Sequence, residues 1–232
     1  MLSQGHVALF LDFDGTLVEL ASGPDAIAPR TGLANALHRL GERLGGRCAV
    51  VSGRGIADIE RHVGTLRVAV AGSHGSDMRT ADGSNIGESA RELPARIEGD
   101  LRAYADRNGL DYEAKPHGGA LHYRSDSAKG PDAEAFARDL AERHGWAAQP
   151  GKCVVEIVAA TANKGAAVRA FMQQPPFAGA LPYFLGDDLT DEAGFAACEE
   201  FGGGGILIGE RAGSRAHYRL ESVSAVHDWL DL

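Results

Sequence analysis

The sequence predicts an α/β protein in which a parallel sheet is wrapped by helices and interrupted by a smaller α+β module. Short, almost continuously apolar segments, typical of strands buried on both faces, alternate with segments whose apolar residues recur at helical spacing. This order occurs near the start of the chain and returns near its end, which favours a parallel sheet. The residues between contain short alternating runs flanked by charged helical segments, which favours an antiparallel insert.

The first part of the chain contains three predicted strands and two predicted helices. The first strand, Val7–Asp12, is apolar until its final residue. A helix is predicted over Thr31–Leu44 from five apolar residues at helical spacing, and the glycine pair after it ends the helix. A second strand, Ala49–Val51, follows. After it come a helix, Ile56–Val63, and a third strand, Val68–Ala71.

The middle of the chain is predicted to form the insert, over residues 83–160, while residues 1–82 and 161–232 form the main domain. A charged helix is expected from about Gly87 to Arg107, and a second helix starts at a favourably placed proline. Two strands lie between the helices and a third follows them. These four elements after the first helix are Leu110–Lys115, Gly119–Arg124, Pro131–His144 and Val154–Val158.

The alternation of helices and buried strands then resumes. The predicted elements, in order a helix, a strand, a helix and a strand, are Lys164–Met172, Tyr183–Gly186, Thr190–Cys198 and Ile206–Ile208. The glycine run Gly202–Gly205 lacks the spacing of a phosphate cradle, so we expect an ordinary loop there.

Composition limits the class of function. The 232 residues carry a formal net charge of −9, which disfavours binding to nucleic acid or anionic lipid. The three cysteines are far apart and form no CxxC pair, which indicates a reducing compartment. The apolar run at the N-terminus is too short for a signal peptide, and no segment is long enough to cross a bilayer. We expect a cytoplasmic monomer that binds neither nucleic acid nor membrane.

Asp12 and Asp14 lie at the end of the first buried strand, in the segment LDFDGTL. Buried carboxylates are costly, and two of them at close range disfavour joint ionisation, so a bound cation is expected. Mg²⁺ binds one or two carboxylates together with water and substrate phosphate. An Asp-Gly turn would explain the second aspartate but leaves Asp12, inside the strand end, unexplained.

A second acidic strand end occurs in the segment GDDLTDE. Thr190 and the acidic residues that follow it suit a helix N-terminus, but this leaves Asp187 and Asp188 unexplained. Since ligands bind beyond the carboxyl ends of parallel strands, both acidic ends are expected to share one metal.

Two weaker features add positive charge and hydrogen-bond donors. Ser52-Gly53-Arg54 follows the second strand, where a hydroxyl and a backbone N–H can hold a phosphate oxygen, although taken alone a Ser-Gly pair is more often an ordinary turn. Lys164 begins a helix and so opposes its dipole, which indicates an acidic or phosphate partner, although a solvated lysine remains the alternative. Together the four features predict phosphoryl transfer to an aspartate.

The chain resembles the haloacid dehalogenase superfamily, and within it the trehalose-6-phosphate phosphatases. The segments that carry the resemblance span nearly the whole chain and are LDFDGTL, VVSGR, AGSHG, ALHYR, VVEI, NKG and GDDLTDE. The resemblance implies a Rossmann-like three-layer parallel sheet core with an inserted α+β cap that determines substrate specificity. It also implies Mg²⁺ as cofactor and a small-molecule sugar phosphate as substrate.

The resemblance assigns a role to each matching residue of the core. Asp12 would be the nucleophile, and Asp14 would protonate the leaving oxygen and later activate water. The Mg²⁺ ligands would be Asp12, Asp187 and the Asp14 backbone carbonyl. The phosphate would be bound by Ser52, Gly53 and Lys164. Asp188 and Asp191 would support the metal site or orient the lysine.

The resemblance also implies a set of substrate contacts, most of them in the cap. They are Arg54, His74, Glu113, Lys115, His122, Arg124 and Glu156. Charged side chains suit a polyhydroxylated ligand, although a solvated sheet face would explain those of the cap equally well. Strand alternation places Glu113 and Lys115 on one face of their strand. It also places His122 and Arg124 on one face of the neighbouring strand.

The leading hypothesis is therefore hydrolysis of trehalose 6-phosphate. A related phosphatase acting on sucrose phosphate or a glyceryl-sugar phosphate is the first alternative, and the cap residues discriminate between them. A silent sugar-phosphate sensor is the second alternative, disfavoured because Asp12, Asp14, Lys164 and Asp187 are all present. All of these enzyme hypotheses require Asp12 and Asp187 to lie within reach of one ion.

Overall fold

The computed structural model describes residues 6–21, 24–87, 91–151 and 153–232. The chain divides into two compact units, one formed by residues 1–88 with 163–232 and the other by residues 89–162. Assigning catalysis to the first and substrate specificity to the second remains a prediction. Within the described part of the chain, no helix has the length and hydropathy needed to cross a membrane.

The larger unit begins with four strands and two helices. They are β1 (Val7–Leu11), α1 (Leu33–Arg43), β2 (Cys48–Val51), α2 (Ile56–Val63), β3 (Ala69–Gly72) and β4 (Asp77–Arg79). The helix over Ile56–Val63 has the predicted bounds. The three-residue strand β4 was not predicted, because its residues are only partly buried and carry no apolar pattern.

In the described part of the smaller unit there are two α-helices and four strands. They are α3 (Ala95–Asn108), β5 (Asp111–Lys115), β6 (Gly118–His122), α4 (Gly130–His144), β7 (Trp146–Gly151) and β8 (Val154–Ala159). The predicted start of α3 at Gly87 is wrong: residues 91–94 are not helical, and Pro94 occupies the N-cap with a non-helical ψ of 134°. Residues 88–90 of that predicted helix lie outside the described residues.

The larger unit is completed by two further strands of the central sheet, an edge strand and three helices. They are α5 (Lys164–Met172), β9 (Leu181–Gly186), α6 (Glu192–Glu200), β10 (Gly204–Ile208), β11 (Tyr218–Leu220) and α7 (Val223–Leu230). The prediction of a loop over Gly202–Gly205 is wrong in its second half. Gly204 and Gly205 are buried strand residues that pair with Tyr183 and Phe184 of β9.

The seven-stranded sheet of the larger unit has the order β11-β10-β9-β1-β2-β3-β4. Every neighbouring pair is parallel except β3 and β4, which are antiparallel. From β1 the chain extends the sheet to β2 and β3 on one side, and after the insert to β9 and β10 on the other. The carboxyl end of β1 is therefore a topological switch point, where such sheets bind ligands.

Helices cover both faces of this sheet, as the predicted three-layer core requires. On one face, side chains of β1 and β2 pack against α1, α2 and α7, with Leu37, Ile59 and Leu230 fully buried. On the other face, Phe10 packs against Phe171 of α5, and Phe184 packs against Phe195 of α6. The strands of the centre are buried on both faces, which explains their continuous apolar runs.

The smaller unit is an antiparallel sheet of order β5-β6-β8-β7 with helices packed on one face. Leu121, Val155 and Ile157 point into a core shared with Leu101 of α3 and Leu140 of α4. Alternation therefore leaves the opposite face, with its polar residues, uncovered by these helices.

Candidate active site

The carboxyl ends of β1, β2 and β9 place three of the predicted segments beside one another. Asp12 directly follows β1, and its backbone N–H donates to Leu185 O of β9 at 2.9 Å. Ser52 directly follows β2, and Asp187 directly follows β9. Since these strands are parallel neighbours, the three side chains start from one edge of the sheet.

Lys164 connects the two acidic segments. Its Nζ donates to Asp12 Oδ1 at 2.7 Å and to Asp191 Oδ1 at 2.6 Å. All three side chains are at least 94% buried, so the charges interact with little screening by water. Burial lowers the pKa of Lys164, but the two carboxylates outweigh this and raise the pKa above its ordinary value. The lysine that opposes the dipole of α5 is thus paired and charged.

Two glycines allow the acidic loops to approach this closely. Gly15 has φ +79°, and a Cβ placed there would lie 2.3 Å from Asp187 Cγ. A Cβ at Gly186 would lie 2.2 Å from Asp191 Cγ. Both distances are impossible contacts, so glycine is needed at position 15, where DFDGT meets GDDLTDE, and at position 186, where GDDLTDE folds back on itself.

Gly15→Ala is expected to impair catalysis more than it impairs folding. The new methyl group would displace the Asp187 carboxylate, and a misplacement of about 1 Å near the chemistry costs about 10²-fold in kcat. Gly179→Ala is the matched control, since Gly179 has the same φ of +79° but a Cβ placed there has no neighbour within 4 Å among the described residues. Steady-state kinetics and thermal unfolding of both variants test this. If Gly179→Ala lost as much kcat as Gly15→Ala, the contact between residue 15 and Asp187 would not be the cause of the loss.

Asp187 provides the best evidence that the site fits a cation. Ligand atoms of Asp12, Asp187 and Asp191 lie within 4.8 Å of one another. Oδ1 of Asp187 is buried and has no hydrogen-bond partner among the described residues. Burial and the Asp191 carboxylate raise the pKa of Asp187 to about 7. Three carboxylates with one lysine carry excess negative charge, and a divalent cation with oxygen ligands suits this donor set.

The pKa of Asp12 indicates the same deficit of positive charge. Burial and the Asp191 carboxylate raise the pKa well above its usual value, and Lys164 opposes this only in part. A second positive charge close to Asp12 would keep it ionised, as a nucleophile must be.

Asp191 and Asp188 are less available to a metal. The Asp191 Oδ2 accepts the Asp188 N–H at 2.8 Å, while Oδ1 accepts from Lys164. Both oxygens of Asp191 are thus engaged in orienting neighbours. The Asp188 carboxylate caps the short 3-10 helix Leu189–Asp191 by accepting the Leu189 N–H at 2.6 Å. Asp12 and Asp187 remain as the carboxylates best placed to bind an ion.

The loop after β2 is held in place by neighbouring backbone groups. Ser52 is almost fully buried, and its Oγ accepts the Arg54 N–H at 3.1 Å. The backbone N–H of His74 donates to Ser52 O at 2.9 Å. His74 is buried with φ 57°, and its ring lies against Gly53, where a Cβ would be 2.7 Å from Cε1. The structure therefore places His74 behind the predicted phosphate-binding loop.

Arg54 contacts the carboxylate of Asp14. Its Nε and Nη2 donate to the two carboxylate oxygens at 2.6 and 2.8 Å, and its Nη1 donates to Asp58 Oδ2 at 2.8 Å. Sequence reasoning missed Asp58, because Arg54 precedes the first residue of α2 and the i,i+4 pairing of helices does not apply to it.

The smaller unit brings most of the predicted sugar contacts onto one sheet face. Glu113 pairs in register with Ala120 of β6, which pairs with Glu156 of β8. His122 Nε2 lies 2.8 Å from Glu113 Oε2, and Lys115 forms an ion pair with Glu156. The expected place of Arg124 in the same strand is wrong, because β6 ends at His122 and Arg124 lies exposed in the turn that follows.

Comparison with known proteins agrees with these observations. The family model of trehalose-phosphatases matches residues 10–224. The chain is 37% identical to a trehalose-6-phosphate phosphatase of Escherichia coli K12 over 235 residues, which cover 97% of this chain and 85% of the relative. It is 42% identical to a probable trehalose-phosphate phosphatase of Sinorhizobium fredii over 210 residues, covering 87% and 77%.

A solved structure has a fold similar to that of this chain. The C-terminal domain of a trehalose-6-phosphate phosphatase from Candida albicans matches with a TM-score of 0.83 and 21% identity, covering 98% of this chain and 93% of that one. The family and the fold class expected from the sequence are thereby confirmed.

Proposed function

Because this chain belongs to the trehalose-phosphatase family, we propose that it hydrolyses trehalose 6-phosphate in a Mg²⁺-dependent reaction through a phosphorylated Asp12. The observation that carries the proposal is the buried cluster in which Asp12 accepts a hydrogen bond from Lys164 and ligand atoms of Asp12 and Asp187 lie within 4.8 Å of each other. Oδ1 of Asp187 has no hydrogen-bond partner among the described residues. A buried nucleophile, a lysine ammonium held beside it and a carboxylate oxygen available to a metal together suit phosphoryl transfer.

Asp12 would attack phosphorus with one carboxylate oxygen, forming an acyl phosphate and releasing the sugar alkoxide. Lys164 holds Asp12 in position and offers its charge to the phosphoryl oxygens. The Ser52 hydroxyl and the Gly53 N–H would bind another of those oxygens. Asp12, Asp187 and the Asp14 backbone carbonyl would hold Mg²⁺, which when bound supplies positive charge that neutralises the phosphoryl group.

Asp14 would act as the proton carrier. It would give a proton to the leaving sugar oxygen, and it would take one from the water that later hydrolyses the acyl phosphate. Its side chain is 30% exposed, unlike the nearly buried side chain of Asp12, so the two aspartates have the different environments that two roles require.

The polar face of the antiparallel sheet is proposed to recognise the sugar. Glu113, His122, Lys115 and Glu156 form two hydrogen-bonded pairs there, each with one acidic and one basic partner. Such pairs offer acceptors and donors side by side to a polyhydroxylated ligand.

A panel of sugar phosphates with added Mg²⁺ tests the proposed function. We expect kcat/KM for trehalose 6-phosphate to exceed those for sucrose phosphate, glyceryl-sugar phosphates and glucose 6-phosphate by about 10²-fold or more, since recognition by polar pairs penalises substrates that leave them unpaired. A preference for another sugar would reject the substrate but keep the mechanism. Absence of phosphatase activity on every ester would favour the sensor alternative.

Removal of the metal is expected to abolish activity. Treatment with EDTA should lower kcat by about 10³-fold or more, because the phosphoryl charge then loses its main counterion. Restoring Mg²⁺ should recover the rate, and excess Ca²⁺, which prefers more ligands at longer distances, should not. Full activity in EDTA-treated, metal-analysed protein would contradict the Mg²⁺ dependence.

Glu156→Gln is expected to weaken sugar recognition alone. Loss of its charge disrupts the pair with Lys115, so KM for trehalose 6-phosphate should rise by about 10-fold while kcat/KM for p-nitrophenyl phosphate stays within about 2-fold. Glu142→Gln, an exposed residue of α4, is the matched control. Equal losses on both substrates would assign Glu156 a purely structural role.

The remaining expectations stay predictions. They are that the protein is a cytoplasmic monomer, and that its partners are small-molecule sugar phosphates and not nucleic acids or membranes.

A further inference from the structure

Arg54 forms a bidentate ion pair with Asp14, a geometry that a substrate-binding residue would not need. Two of its nitrogens donate to the two oxygens of one carboxylate, Nε to Oδ2 at 2.6 Å and Nη2 to Oδ1 at 2.8 Å. This fork fixes both the position and the plane of the carboxylate, which a single hydrogen bond cannot do. The Arg54 side chain is 11% exposed, so water competes little for these bonds.

The guanidinium is itself anchored from its other side. Its Nη1 donates to Asp58 Oδ2 at 2.8 Å, and Asp58 belongs to the first turn of α2. Asp58 also accepts from Arg61 at 2.5 Å, one helical turn further along. The Arg54 backbone is fixed as well, since its N–H donates to Ser52 Oγ and its carbonyl accepts the Ser73 N–H at 2.8 Å. The fork is thus held by a rigid helix and by the phosphate-binding loop.

We infer that Arg54 is a positioning residue that aims Asp14, with Asp58 as its anchor, and that it does not bind the substrate directly. This inference rests on the proposed function, in which Asp14 moves protons to and from the reacting oxygens. Proton transfer requires the carboxylate within hydrogen-bond distance of those oxygens, and a side chain free to rotate spends little time there. The fork removes that rotation, and replaces the substrate contact expected of Arg54 from sequence.

A double-mutant cycle between Arg54 and Asp14 tests the inference. Arg54→Met should lower kcat for trehalose 6-phosphate by about 10²-fold with KM changed by less than about 3-fold, as expected when proton transfer and not binding is impaired. In the Asp14→Asn background the same change should lower the residual rate by less than about 3-fold, because the group it positions is already absent.

Substrates with different leaving groups distinguish a positioning role of Arg54 from a merely structural one. p-Nitrophenolate leaves without protonation, so Arg54→Met should release the first equivalent of p-nitrophenol at nearly the wild-type rate and then slow, since water activation still needs Asp14. With trehalose 6-phosphate, both the first and later turnovers should be slow. Rapid-mixing absorbance and acid-quenched phosphate release measure the two cases.

Asp58→Asn keeps the inference testable if Arg54→Met folds poorly. It leaves the fork in place but weakens its anchor, so kcat for trehalose 6-phosphate should fall by about 5-fold, and this loss should vanish in the Asp14→Asn background. Thermal unfolding identifies a misfolded variant.

Two results would overturn the inference. One is a rise in KM at unchanged kcat in Arg54→Met, which indicates direct substrate binding. The other is full additivity of Arg54→Met, or of Asp58→Asn, with Asp14→Asn. If the wild-type protein prefers another sugar phosphate, the proposed substrate fails, and the same cycle on the preferred ester then judges Arg54 separately.

Discussion

Asp12→Asn should lower kcat by about 10⁵-fold or more while the protein stays folded, since the variant loses its covalent nucleophile. An amide is a far weaker nucleophile than a carboxylate and carries no charge. The amide oxygen of the introduced side chain could still accept a hydrogen bond from Lys164, so the surrounding packing is expected to persist. Phosphate release from trehalose 6-phosphate is the measurement.

The stability of Asp12→Asn separates loss of chemistry from loss of fold. Burial and Asp191 already raise the pKa of Asp12, so its charge is costly without a metal. Neutralising it should therefore leave the free energy of unfolding of the metal-free protein unchanged within about 1 kcal/mol, or raise it. Asp231→Asn, at a side chain that is 93% exposed, is the control and should match the wild type in both measurements. Undiminished turnover in Asp12→Asn would exclude the proposed chemistry.

Lys164→Met is expected to affect both catalysis and stability. Its ammonium contacts Asp12 and Asp191 in a nearly water-free environment, and removing one partner leaves buried carboxylates uncompensated. The free energy of unfolding without metal should fall by about 3–5 kcal/mol. The kcat should fall by about 10³-fold, because a fixed charge on the phosphoryl oxygens is lost.

The metal dependence of stability gives a second measurement on Lys164→Met. With the lysine absent, a divalent cation is the remaining counterion for the acidic cluster, so Mg²⁺ should raise the thermal midpoint of the variant more than that of the wild type. Lys129→Met is the matched control, since Lys129 pairs with an exposed aspartate and is itself 41% exposed. Equal losses of activity in both lysine variants would show that general charge, not position, matters.

The sequence predicted the sheet core because its signals were strong. Strands buried on both faces gave continuous apolar runs, and α2 and α5 have the bounds that were predicted for them. The acidic strand ends were also evident, because a carboxylate after a buried strand is costly and so needs a reason. The fold then brings Asp12 and Asp187 within reach of one ion, as the enzyme hypothesis required.

Elements with weak signals were missed. The strand β7 contains Pro150 and Gly151, which are poor strand formers, and it lies at the edge of its sheet where proline is tolerated. The strands β4 and β11 have three residues each and also lie at edges. The helix α7 is only eight residues long, capped by the Ser222 side chain, and periodicity is hard to recognise over two turns.

The residue types of the site were predictable, but their partners were not. The family resemblance placed Arg54 among the substrate contacts. The structure turns its guanidinium toward Asp14, forty positions away in sequence, and Asp58. Such long-range pairs depend on the register of β1 against β2, which no local pattern specifies.

Direct detection of the covalent intermediate tests the central claim, that Asp12 is the nucleophile. Enzyme mixed with trehalose 6-phosphate and Mg²⁺ is acid-quenched within the first turnover, reduced with borohydride, digested and analysed by mass spectrometry. We expect an acyl phosphate on Asp12, recognised by conversion of that residue alone to homoserine, and none in Asp12→Asn. Turnover at the normal rate with position 12 unmodified, or with the phosphoryl group trapped on another residue, would contradict the account.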